Sequence, residues 1–91
     1  MTKELRDKIN QSIRGGKIMP KVKYIAGLAK MLDVDLDTFL DVSQTIGIIN
    51  KNGSPKKKYV DGGQFNPNGT IADYRSVVNL YSEKLTNYLE K

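Results

Sequence analysis

The chain has 91 residues, room for one domain, and a formal net charge of +5. With no cysteine and no histidine it has no disulfides, no thiolate metal site, and neither the usual general base nor the commonest zinc ligand. Its amino terminus has no apolar leader core, and no stretch approaches the roughly 18 apolar residues of a membrane span, so the sequence predicts a cytoplasmic protein with no membrane partner.

A chain of this length buries somewhat over ~60% of its unfolded surface, enough for a core without covalent staples. Its charge is banded. Residues 1–30 carry eight basic and two acidic side chains, a net +6. Residues 31–50 carry only Asp33, Asp35, Asp37 and Asp41, a net −4, and residues 51–60 only Lys51, Lys56, Lys57 and Lys58, a net +4. A polyanion suits the two basic bands and a cationic partner suits the acidic one.

The first predicted helix runs from Lys3 to Arg14, with Thr2 as N-cap and Leu5, Ile9 and Ile13 as a narrow apolar stripe. Gly15-Gly16 ends it, and Pro20 suits the first turn of a second helix. Val22, Ile25, Leu28, Ala29 and Leu32 form that helix's buried face. Asp33-Val34-Asp35 makes a turn, Asp35 caps a third helix from Leu36 to Ile46 with Phe39, Leu40, Ser43 and Ile46 on its inward side, and Gly47 follows as its C′ residue.

A β-ribbon is predicted next. Ile48-Ile49-Asn50 leads into an Asn52-Gly53 hairpin, Pro55 marks its edge, and Lys57–Val60 return. Asp61-Gly62-Gly63 turns again, and Gln64-Phe65 adds a third short strand. After the loop Asn66–Gly69, Thr70 and Asp73 read as a capping box for a last helix starting at Ile71. The sequence shows no internal repeat and no low-complexity tract. The predicted fold class is mainly α with a small β-hairpin wing. It is a winged helix-turn-helix (residues 1–69) plus a long C-terminal amphipathic helix (70–91), together one domain.

Ala29-Lys30-Met31-Leu32-Asp33-Val34, Gly47-Ile48-Ile49, Asn52, Pro55, Lys58-Tyr59-Val60-Asp61, Gly63 and Phe65 together resemble the carboxy-terminal (KilA-C-type) domain of phage antirepressors. The likeness covers 37 residues, Ala29–Phe65, without a gap, and Pro-x-x-Lys-Tyr-Val-Asp-x-Gly-x-Phe is its most specific part. It implies a winged-helix phage protein working in transcription regulation on DNA inside a bacterial host. In that family the helix matching Leu36–Ile46 tends to carry Arg and Lys. Here it carries Asp37 and Asp41 and no basic residue, so base reading by this helix does not follow.

Two functional expectations result. In the first, duplex DNA is gripped by phosphate contacts from Lys51, Lys56, Lys57, Lys58 and Tyr59 on the wing and from Arg6, Arg14, Lys17, Lys21 and Lys23 in the first third. In the second, a small phage-encoded factor binds a host or phage protein, such as an enzyme, a repressor or a defence complex, through Asp37 and Asp41. The lysines also have a plainer role as protection of an exposed edge. Met1 and the lack of an amino-terminal linker favour a free-standing protein over a fragment of an antirepressor.

Ile71, Tyr74, Val78, Tyr81, Leu85 and Tyr88 form a heptad seam, read either as a homodimer helix or as a helix lying across its own domain. Asp33-x-Asp35-x-Asp37 lacks the Gly and Glu of a calcium loop, and Ser12–Lys17 lacks the spacing of a phosphate loop. No catalytic pairing stands out, so neither an enzyme nor a cofactor or metal is expected.

Overall fold

The computed structural model describes residues 2–14 and 24–90. Five helices succeed one another: α1 (Thr2–Arg14), α2 (Ile25–Met31), α3 (Leu36–Thr45), α4 (Lys57–Asp61) and α5 (Tyr74–Leu89). Gly15-Gly16, Pro20 and Val22 lie outside the described residues, and α2 begins later than the sequence suggests, at Ile25.

The terminal helices carry the core. α1 packs along α5, burying Leu5 and Ile9 with Val77, Val78, Tyr81 and Leu85, while α2 packs on α3. Tyr81 is wholly buried and stacks on Phe39 of α3, ring centroids 5.0 Å apart. The Ser43 hydroxyl donates to the Phe39 carbonyl at 2.6 Å and lies 2.5 Å from the Tyr81 hydroxyl. Because the serine hydrogen is already committed, Tyr81 donates to Ser43. Burial pushes the Tyr81 phenol well above its ordinary pKa of 10.0.

The predicted β-hairpin wing is absent, and with it the winged helix. Among the described residues the only β pairing is two isolated antiparallel bridges, Ile49 with Pro55 and Phe65 with Ile71. The residues expected as the returning strand form the one-turn helix α4. The cause is visible in the burial period. Tyr59 is buried and Lys56 and Val60 are half-buried, a helical i, i+3, i+4 face, whereas a strand would bury every second residue. Pro55 ends the pairing, Gly63, at φ 86°, ends the turn of helix, and of the expected third strand Gln64-Phe65 only the single bridge of Phe65 with Ile71 forms.

The structure also corrects the expectation of no internal repeat: residues 47–54 and 63–70 form two equivalent units. Gly47 and Gly63, 16 positions apart, each end a helix with positive φ (80° and 86°). Beyond them the amides of Ile48 and Gln64 both donate at 3.0 Å, to the carbonyls of Ser43 and Tyr59 respectively. Two equivalent turns come next, Asn50–Ser54 and Asn66–Thr70. In each, the first asparagine's amide donates to the Ser or Thr carbonyl (2.7 and 2.8 Å), and the glycine amide returns to the asparagine carbonyl (2.9 Å in both). The second asparagine's Oδ1 accepts from the backbone and hydroxyl of that Ser or Thr, at 3.0 and 2.6 Å for Asn52 and at 3.1 and 2.7 Å for Asn68. Thr70 therefore belongs to a turn and not to a capping box. The cap of α5 is Asp73, which accepts from the Ser76 amide at 3.2 Å, so the helix starts at Tyr74 and not at Ile71.

Candidate interaction surfaces

The basic residues do not form the ribbon surface that the sequence suggests. Lys51 is exposed at the tip of the first turn, Lys56 is the half-buried N-cap of α4, and Lys57 and Lys58 are exposed on α4. Tyr59 is buried, so it is a core residue, and its hydroxyl has no hydrogen-bond partner among the described residues. The Lys58 ammonium lies 5.0 Å from the centroid of the Tyr59 ring, a cation–π contact.

In the first third, Arg14 is exposed at the end of α1, while Lys17, Lys21 and Lys23 lie outside the described residues. Two other α1 cations are already engaged. Arg6 pairs with Asp7 at 3.2 Å, and Lys8 Nζ donates to the Asp33 carbonyl at 3.0 Å, clamping α1 onto the α2–α3 turn. Of the predicted first-third cations, Arg6 and Arg14 alone are described, and both stand on α1 rather than on α4.

The acidic band forms a more coherent surface. Asp33 sits at φ 55°, where the Val34 amide closes α2 by donating to the Ala29 carbonyl at 3.0 Å. Asp35 caps α3 as expected, accepting from the Thr38 amide at 3.1 Å. Asp37 and Asp41 stand one turn apart on the exposed side of α3, and among the described residues no cation pairs with either. Beside them Leu36 is 41% exposed and Leu40 half-buried, an apolar strip bordering the carboxylates. An open groove of about 400 Å³ adjoins this helix start, lined by Ala26, Ala29, Val34 and Leu36 with Asp33, Asp35 and Lys30.

The predicted heptad seam faces its own domain, and its first residue, Ile71, precedes α5. Ile71, Val78, Tyr81 and Leu85 are buried, and Tyr74 is half-buried with its hydroxyl 3.2 Å from Met31 Sδ and its pKa pushed up to about 12 by burial. Tyr88 alone of the seam is exposed, beside exposed Leu89. A partner helix therefore cannot use the middle of the seam without unfolding the core.

Sequence reasoning places Ser43 on the inward side of α3 and turns at Asn52-Gly53 and Asn66–Gly69, but it overlooks the hydroxyl link from Ser43 to Tyr81 of α5 and the equivalence of the two turns. The equivalence has a legible signal, Asn-x-Asn-Gly-Ser and Asn-x-Asn-Gly-Thr, whereas nothing local marks Tyr81 as the partner of Ser43. No helix among the described residues is long and apolar enough to cross a membrane. No family model, no curated protein and no solved structure matches the chain.

Proposed function

We propose that this protein is a protein-binding module that docks a basic partner surface on α3. The carrying observation is the pair Asp37 and Asp41, exposed, one turn apart and without a cationic partner among the described residues, next to exposed Leu36. Leu36 and Leu40 supply an apolar anchor, and the carboxylates supply a charged rim that speeds association and rejects acidic partners. The setting we propose, on the antirepressor resemblance, is the cytoplasm of a bacterial host carrying the phage that encodes the protein.

A second reading keeps duplex DNA as the ligand, held by Lys51, Lys56, Lys57 and Lys58. Its support is the exposure of Lys51, Lys57 and Lys58. It requires the cations of the first third to converge with those around α4, and the engagement of Arg6 and Lys8 within the fold weakens it.

One experiment separates the two. The immobilised protein, the Asp37→Lys/Asp41→Lys variant and the Lys56→Ala/Lys57→Ala/Lys58→Ala variant are each exposed to bacterial lysate and to random duplex DNA at low salt. The protein reading predicts one stoichiometric protein partner, retained by the lysine variant and weakened at least about tenfold, or roughly 1.4 kcal/mol, by the aspartate reversal. Loss of duplex retention in the lysine variant, with protein recovery indifferent to the aspartate reversal, transfers the function to DNA.

A further inference from the structure

We propose that Asn52 and Asn68 are spontaneous deamidation sites and that the tertiary structure ranks them, with Asn52 converting first. They are the only two asparagines of the chain that precede glycine, and they occupy equivalent places in the two turns. The proposal is independent of the docking surface on α3.

The reaction needs only water. The Gly53 amide nitrogen, after losing its proton, attacks Asn52 Cγ. The new N–Cγ bond forms as charge gathers on Oδ1, and the Cγ–Nδ2 bond then breaks, with Nδ2 leaving as ammonia. Water opens the resulting succinimide at either carbonyl, giving aspartate or isoaspartate. The balance is one asparagine and one water in, one aspartate or isoaspartate and one ammonia out.

Both turns already hold part of this arrangement. The oxygen that gains charge accepts two hydrogen bonds, from the Ser54 amide at 3.0 Å and the Ser54 hydroxyl at 2.6 Å in the first turn. Thr70 supplies the same two donors to Asn68 at 3.1 and 2.7 Å. Both turns also hold the same block, because the attacking nitrogen donates its proton at 2.9 Å to the carbonyl of Asn50 or Asn66. Attack must therefore wait for the glycine amide to leave that carbonyl, and the ease of this local opening sets the rate.

Here the turns differ. Lys51, Asn52, Gly53 and Ser54 are all exposed, and a Cβ built at Gly53 would meet no atom within 4 Å. Gly69 and Thr70 are half-buried, and a Cβ at Gly69 would lie 3.9 Å from Pro55 Cδ. The side-chain clamps differ as well: Asn66 Nδ2 donates to Thr70 Oγ1 at 2.8 Å, whereas Asn50 Nδ2 is shared between Ser54 Oγ at 3.1 Å and the Pro55 carbonyl at 3.3 Å. The first turn opens more readily. Its product places a carboxylate beside Lys51, and the isoaspartate form adds a methylene to the main chain inside the Asn50–Ser54 pair.

The test incubates the folded protein in mildly alkaline buffer and maps peptides by mass spectrometry, with the urea-unfolded chain in parallel. Aspartate and isoaspartate accumulate several-fold faster at position 52 than at 68 in the folded protein, and the ratio falls towards one in urea. Equal or faster conversion at 68 in the folded protein overturns the ranking. A ratio unchanged by urea does so as well, since local sequence would then be its source. Amide exchange gives an independent reading: the Gly53 N–H exchanges before that of Gly69, and the reverse order removes the gate.

Discussion

The segments 43–56 and 59–72 share a helix-ending glycine, one β bridge and one asparagine turn, yet the first leads into five residues of helix and the second into sixteen. Turn chemistry alone therefore does not set the length of the next helix. α4 has Lys56 as an N-cap without a side-chain hydrogen bond and meets Gly62-Gly63 after one turn. α5 has Asp73 as a bonded cap and four fully buried residues, Val77, Val78, Tyr81 and Leu85, set against α1. Helical length comes from the apolar face a neighbour can cover, and a cap adds the last increment.

The largest test of this comparison lies at its two matched core positions. Phe65 and Ile49 come after Gly63 and Gly47 at the same spacing and are 2% and 1% exposed. Phe65→Ala costs about 3–5 kcal/mol and Ile49→Ala about 2–5 kcal/mol, read from urea unfolding. A cost below about 1 kcal/mol at either position removes that module from the core.

Next in size are the helix ends. Gly47→Ala and Gly63→Ala each cost about 1 kcal/mol, because both stand at positive φ with open space where the methyl would go. Asp33 occupies the same place after α2 without being glycine, so Asp33→Gly raises stability by up to about 1 kcal/mol in the same denaturation experiment.

A smaller change brings the two modules closer together. Lys56→Asp gives α4 the acceptor it lacks and places a negative charge at its helix start, stabilising by about 0.5–1 kcal/mol. Thermal melting checks the sign, and no rise in Tm would show that α4 is limited by its short apolar face alone.

The smallest effects are in pH. Hydrogen bonds from the Ser76 amide and hydroxyl hold the exposed Asp73 carboxyl below its usual 3.8. A lowered folded pKa contributes stability that is present above 3.8 and lost as pH falls through the depressed value. Asp73→Asn keeps an acceptor and flattens that acid limb of Tm against pH. Tyr81 acts at the other extreme. Its raised folded pKa gives stability that is complete below 10.0 and lost as pH climbs towards the folded value, and Tyr81→Phe flattens that alkaline limb.

Much of the helical fold is legible in the sequence. The apolar spacing of Leu5 and Ile9, the Asp35 cap and the glycine after α3 act within a few residues, and the structure bears out each. The wing is not legible in the same way, because Asn52-Gly53 with Pro55 fits a hairpin equally well. Only the burial of Tyr59 against the rest of the domain separates helix from strand there. Of the candidate site residues, Asp37, Asp41, Lys51, Lys57 and Lys58 are exposed as a surface role requires, whereas Tyr59 and most of the α5 seam are not. Whether a tyrosine lies on the surface depends on what packs over it, and no local pattern carries that information.

By itself the sequence determined the absence of thiol and imidazole chemistry, the banding of charge, and the Asp35-capped start and glycine end of α3, since each is set by composition or by neighbours within one turn. Only the tertiary structure decided that 57–61 is helical, that Tyr81 joins α3 to α5 through Ser43, and that Gly69 of one asparagine turn is half-buried while Gly53 of the other is exposed. Those outcomes depend on contacts between residues distant in the chain, where burial and hydrogen-bond satisfaction outweigh the preference of any short segment.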